Sequence, residues 1–176
     1  MELETKRLLL RPLRDDDASA IARDLKPYDI AKYLARVAHP YTLQDAKTFI
    51  QLQRSFTVNS KLCAIAFKCA PDELLGIVSY EYSAEKQKTE FGYWLSESCW
   101  GQRIMSEAAK ALVNHAFTKG EVEALHAGYW NPISGRLLAK LGFTATHESL
   151  SFCLAQNMKV PSQKVRLTID EWRAAQ

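Results

Sequence analysis

Residues 90–95 (Glu-Phe-Gly-Tyr-Trp-Leu) read as a strand. The chain then passes through Trp100-Gly101-Gln102-Arg103-Ile104-Met105-Ser106-Glu107-Ala108 into a long helical pattern. A strand that delivers a glycine-containing loop to a helix N-terminus builds an anion site. Loop N–H groups and the unpaired donors of the first helical turn converge on one spot, and the helix dipole favours negative charge there. The two commonest phosphate-binding signatures do not account for it, because neither GxxxxGK[ST] nor GxGxxG occurs in the chain.

The flanking sequence alternates strand and helix signals. Residues 6–13 read as a first strand ending near Pro12, and Arg14-Asp15-Asp16-Asp17 offers N-cap acids for a helix over about 18–25. Residues 26–41 read as an aromatic loop, and Thr42-Leu43-Gln44-Asp45 opens a second helix. Strands over 62–67 and 74–82 follow, divided by a turn at Pro71-Asp72-Glu73; Gly76 inside the second predicts a bulge or a close approach. The helix after the loop carries an apolar stripe, Met105, Ala108, Ala109, Leu112, Val113 and Ala116, and stops at Gly120. A strand over 123–129, a helix over 134–141 stopped by Gly142, a strand from Phe143 and a closing strand over 164–169 complete the pattern, with Asp170 as cap of a terminal helix.

Three further segments join the loop in one resemblance. Asn131-Pro132-Ile133-Ser134-Gly135-Arg136-Leu137-Leu138-Ala139-Lys140-Leu141-Gly142-Phe143 has the form N-x-x-S-x-[RK]-[VL]-[LM]-x-K-[LC]-G-[FY]. Thr5-Lys6-Arg7-Leu8-Leu9-Leu10-Arg11-Pro12 has the form T-x-R-L-x-L-R-P, and 90–95 the form E-x-G-Y-x-[LIV]. Together with the loop these resemble, in order, the GNAT-superfamily N-acetyltransferases of the RimJ/RimL-like branch, whose acyl-CoA pyrophosphate loop reads W-G-x-G-[YI]-[AM]-[ST]-E-A. The resemblance implies an α+β (α/β/α) fold: a mixed sheet of about six to seven strands, splayed at the acyl-CoA site, with helices on both faces. It also implies one domain over residues 1–176. One position departs from the pattern. Arg103 stands at the central glycine, where a missing Cβ lets phosphate oxygens approach the amides, while a guanidinium restores positive charge and two-pronged phosphate binding.

The resemblance assigns roles residue by residue. Tyr93, Trp94 and Leu95 would hold the pantetheine arm by backbone hydrogen bonds, provided the sheet splays there. Gly101, Gln102, Arg103, Ile104, Met105 and Ser106 would hold the pyrophosphate, and Asn131 and Ser134 would face the cofactor. Ser134 would donate a proton to the departing thiolate, with a plain helix-surface serine as the other reading. Glu90 is the candidate base, with a solvent-facing strand residue as the alternative. An α-amine of pKa about 8 lies only about 1–1.5 kcal/mol from its neutral form at pH 7, so a modest base acting through water suffices. Glu107 has a sufficient explanation in the helix dipole.

The implied activity is acetyl transfer from acetyl-CoA, as co-substrate, to a primary amine: a protein N-terminus or a small molecule, in a ternary complex. A non-catalytic acyl-CoA-binding or protein-interaction module on the same fold competes with it, because of Arg103; a protein-binding domain without CoA is the third reading. Composition narrows the partners. A formal charge of +3 over 176 residues, with no Lys/Arg block, argues against nucleic acid. Cys63, Cys69, Cys99 and Cys153 lack metal or redox spacing, and the four histidines form no ligand pair, so no metal is expected. No secretory leader or membrane-length apolar run is present, giving a cytoplasmic expectation, as monomer or homodimer.

Overall fold

The computed structural model describes residues 2–53, 60–120 and 122–176. Its strands are β1 (Leu3–Glu4), β2 (Leu8–Arg11), β3 (Lys61–Phe67), β4 (Gly76–Ser83), β5 (Lys88–Leu95), β6 (Ala124–Tyr129), β7 (Thr144–Cys153) and β8 (Met158–Thr168). The helices are α1 (Asp17–Leu25), α2 (Tyr28–Ala31), α3 (Leu43–Gln53), α4 (Ile104–Thr118), α5 (Pro132–Lys140) and α6 (Ile169–Ala174). One sheet of eight strands runs β1-β2-β3-β4-β5-β6-β8-β7. It exceeds the expected six to seven strands by β1, two residues too short to carry a period.

Every neighbouring pair is antiparallel except β5 and β6, which run parallel. Alternation along the strands divides the sheet into two faces. Phe91, Tyr93 and Leu95 of β5 pack with Leu125, Val165 and Leu167 beneath α4, α5 and α6. Ile77 of β4 and Trp94 of β5 belong to the opposite cluster, under α1, α2 and α3.

The opening segment fastens both layers. Arg11 is buried and grips Asp17 with two bonds, at 2.8 and 2.7 Å, while its Nε donates to the Pro71 carbonyl at 2.7 Å. Asp17 also accepts from the Arg14 amide. Asp16, at the N-cap position of α1, makes no side-chain cap bond, and of the acids of 15–17 Asp17 serves a buried ion pair rather than a cap. The cap of α6 is likewise shifted. Thr168 and Glu171 form a reciprocal capping box, and Asp170 lies in the first turn. Gly76 is a close approach, not a bulge: a Cβ there would stand 2.4 Å from the Trp94 carbonyl oxygen.

Candidate active site

The sheet opens where β5 meets β6. Their pairing is confined to Thr89 with Leu125 and Glu90 with His126, after which the strands part. Antiparallel strands send successive backbone groups to alternate edges. The Ser96 amide donates to the Leu75 carbonyl at 2.8 Å, towards the β4 side. Trp94 therefore faces β4 with its backbone, consistent with its carbonyl's approach to Gly76. Tyr93 and Leu95 face the gap. The indole Nε1 of Trp100 donates to the Leu95 carbonyl at 2.9 Å. The Tyr93 N–H and C=O and the Leu95 N–H remain along the open edge. The splay anticipated for this strand is present, but Trp94 turns its backbone to β4 and packs its side chain against the α1–α3 cluster.

The edge leads to the loop before α4. Gly101 and Arg103 both adopt left-handed conformations, φ +76° and +60° respectively. Arg103, at ψ 16°, is the N-cap residue and contributes no side-chain cap bond. The first-turn amides of Ile104, Met105 and Ser106 thus have no capping side chain. Ile104 and Met105 are buried in the core, which limits them to backbone contacts with an anion, whereas Gly101, Gln102, Arg103 and Ser106 are exposed. The Gln102 side chain is turned away and donates to the Ser98 carbonyl at 3.0 Å.

Glu107 braces this loop. Its carboxylate accepts from Thr5 Oγ1 (2.6 Å), the Arg7 amide (3.0 Å) and Arg7 Nε (2.8 Å), while a second guanidinium nitrogen of Arg7 donates to the Gln102 carbonyl at 3.1 Å. Burial raises the Glu107 pKa, but the bonds from Thr5 and Arg7 outweigh it and hold the carboxyl below its ordinary value. The T-x-R start and the loop glutamate are two halves of one clamp. Sequence reasoning explained Glu107 by the dipole alone because its partner lies at the other end of the chain.

Across the gap, Asn131 caps α5, its side-chain oxygen accepting from the Ile133 amide at 3.0 Å. Among the described residues the Ser134 hydroxyl has no partner, while the Ser134 carbonyl accepts from the Tyr93 hydroxyl at 3.3 Å. Burial pushes the Tyr93 phenol up to about 12, so it remains a donor. That bond fixes α5 to β5 across the divide and sets Ser134 at the edge of the gap.

Glu90 is half-buried at the vertex of the opening, on the face of α1–α3. Glu81 of β4 and His126 of β6 are its cross-strand partners. Burial raises its pKa, but the hydrogen bond and charge of Lys86 at 2.9 Å, with Lys88 and Arg36, bring it below the ordinary value. Glu90 is therefore ionised at neutral pH. His126 is shifted down, first by burial and then by Lys88 and Arg166, against an upward pull from Glu90; it is neutral at pH 7. Glu81, His126 and Lys164 were missed by sequence reasoning. Only the register of four strands brings them to Glu90.

The 28–41 segment covers this face. The Lys32 carbonyl accepts from Trp130 Nε1 (2.8 Å), Gln156 Nε2 (2.9 Å) and Cys153 Sγ (3.4 Å), and Arg36 pairs with Glu81 at 3.1 Å. The loop expected here includes one helical turn, α2. Among the described residues no group of His, Cys, Asp or Glu could hold a metal ion, and no helix is long and apolar enough to cross a membrane.

Residues 7–144 match a family model described as an acetyltransferase (GNAT) domain. A ribosomal-protein-serine acetyltransferase of Escherichia coli is 38% identical over 88 residues, covering 48% of this chain and 46% of that relative. An uncharacterized N-acetyltransferase, YoaA, of Bacillus subtilis is 26% identical over 145 residues, 80% of this chain and 81% of that one. Among solved structures, a ribosomal L7/L12 alpha-N-protein acetyltransferase in complex with coenzyme A superposes with a TM-score of 0.80. It is 20% identical, over 97% of this chain and 99% of that one.

Proposed function

The chain belongs to the GNAT acetyltransferases, and on that premise we propose that it transfers the acetyl group of acetyl-CoA to a primary amine, at a protein N-terminus or on a small molecule. The observation that carries the reading is the continuous donor track from the open β5 edge to the uncapped N-terminus of α4. Its polarity suits a pantetheine amide followed by a pyrophosphate. Tyr93 and Leu95 bind the first, and the amides of 101–106 with Arg103 bind the second. Asn131 lines the opposite wall.

In this reading the amine nitrogen attacks the thioester carbon directly, the C–S bond breaks, and sulfur leaves as thiolate. Ser134, whose hydroxyl has no partner among the described residues, gives the thiolate its proton and regains one from water. Glu90, kept ionised by Lys86, takes the proton released by the amine, directly or through water. Lys86, Lys88 and Arg36, gathered around Glu90, disfavour an ammonium in their midst, which shifts the acceptor towards its neutral, nucleophilic form. Most of the rate comes from holding amine and thioester together.

The non-catalytic reading draws its support from Arg103. Titration with acetyl-CoA, followed by thiol release on adding amines, separates the two. Binding with amine-dependent thiol release supports the enzyme; binding without release from any amine refutes it in favour of a carrier module.

A further inference from the structure

The acceptor side of the opening holds one cation that the proposed chemistry does not use. Around Glu81, Glu90 and His126 stand Arg36, Lys86, Lys88, Lys164 and Arg166. Arg36 is committed to Glu81, and Lys86 and Lys88 to Glu90. Lys164 is different. Its ammonium lies within bonding distance of no carboxylate among the described residues; its one hydrogen bond, at 2.6 Å, goes to Ser151 Oγ, which is itself bonded to the Ser162 hydroxyl at 2.8 Å. Two of its three donor positions are therefore unfilled.

Its placement is specific. Lys164 on β8 pairs in register with Gly128 on β6, and a Cβ at Gly128 would come within 2.8 Å of Lys164 Nζ. Glycine is what lets the ammonium lie over the strand. Gly128 comes after the last β5–β6 pair, so this point is on the splayed part of β6, and on the same face as Glu90 and His126. Burial and the neighbouring Lys88 push the Lys164 pKa down, with Glu90 pulling it up. A half-buried cation repelled by its neighbours gains from an incoming anion.

We propose that Lys164 is the specificity anchor for a carboxylate carried by the acceptor a few ångströms from its amine. The inference rests on the acetyltransferase reading and deepens it. The acceptors it selects are amines with an adjacent carboxylate, in a free amino acid or in an N-terminal segment with an early acidic side chain. The same carboxylate would leave the amine to Glu90 and the thioester, so recognition and chemistry occupy opposite sides of the vertex.

The test uses matched acceptors: an amino acid beside its amide, and a peptide amide with Asp at its second position beside its Asn twin. In the unmodified protein the carboxylate member of one pair should show a KM lower by about 10-fold or more. Which pair responds identifies the source. Lys164→Met should remove that preference through KM, leaving kcat on the neutral twins and acetyl-CoA binding unchanged, and Lys164→Arg should restore part of it. Equal use of the twins by the unmodified protein overturns the proposal, as does a preference that survives Lys164→Met. If no acceptor is acetylated, the enzyme reading fails separately. Calorimetry of the CoA-loaded protein with the same acceptors then decides: carboxylate-dependent binding that is lost in Lys164→Met supports the anchor, and its absence overturns it.

Discussion

Arg103→Gly should make the protein more stable and bind CoA less well. Arg103 sits at φ +60°, ψ +16°, a region that costs an L-residue about 1–2 kcal/mol and glycine nothing. Glycine returns about 0.4–1 kcal/mol through the greater freedom of its unfolded chain. The difference leaves a gain of about 0.5–1 kcal/mol, which for a chain of this size raises Tm by about 1–4 °C. The exposed guanidinium beside a pyrophosphate resembles a surface ion pair, worth up to about 1 kcal/mol, or about 2–5-fold in Kd. Thermal unfolding without ligand and calorimetric titration with CoA at low and high salt measure the two effects. The affinity difference should shrink in high salt, since the contact is screened. A fall in Tm would refute the strain argument. Tighter CoA binding by the glycine variant would refute a phosphate-binding role for Arg103 and strengthen the carrier reading.

Glu90→Gln should lower kcat by about 100-fold or more with unchanged acetyl-CoA affinity, measured by thiol release and titration. Because Glu90 is shifted below its ordinary 4.5, the unmodified enzyme should show no acid limb from this group above pH 5, its rate instead following acceptor deprotonation. Glu107→Ala should cost about 1.5–3 kcal/mol by releasing Thr5 and Arg7. Its folded pKa lies below the ordinary 4.5, so this contribution is present above that value and lost as pH falls through the lowered one; the Tm gap between the two proteins should close in acid. Asp17→Asn leaves Arg11 buried without its charge partner and should destabilise by about 3–5 kcal/mol in denaturant unfolding. Gly76→Ala should reduce stability and CoA binding together, because the added Cβ would stand 2.4 Å from the Trp94 carbonyl oxygen and force it aside; unchanged CoA affinity would separate this strand from the site.

What could be read from the sequence was whatever is local. The loop 100–108, the stripe of α4, and Asn131 and Gly142 at the two ends of α5 follow from turn chemistry, periodicity and capping, and each appears where those rules place it. The errors arise where a side chain had a competitor for its role. The aspartates of 15–17 look like caps until Arg11 is known to be buried beside Asp17. Asp170 looks like a cap until Thr168 and Glu171 close on each other. The two-residue β1 has no period at all, and α2 is a single turn within an aromatic loop.

The candidate site divides along the same line. The proposed CoA side, Asn131 and Ser134 apart, is contiguous in sequence because backbone groups of one strand and one loop compose it. The proposed acceptor side is built from single residues on β4, β5, β6 and β8, whose adjacency exists only through register: Glu81 with Glu90, Glu90 with His126, Gly128 with Lys164. A backbone site tolerates side-chain change, so even Arg103 preserves the loop's left-handed turn. A side-chain site does not, and a single cation over the splayed strand, without a carboxylate partner among the described residues, can redirect which amine is recognised. Substitutions at Lys164 and its glycine neighbour should therefore separate acceptor choice from CoA binding, whereas substitutions within 101–106 should move both acceptors of every matched pair equally.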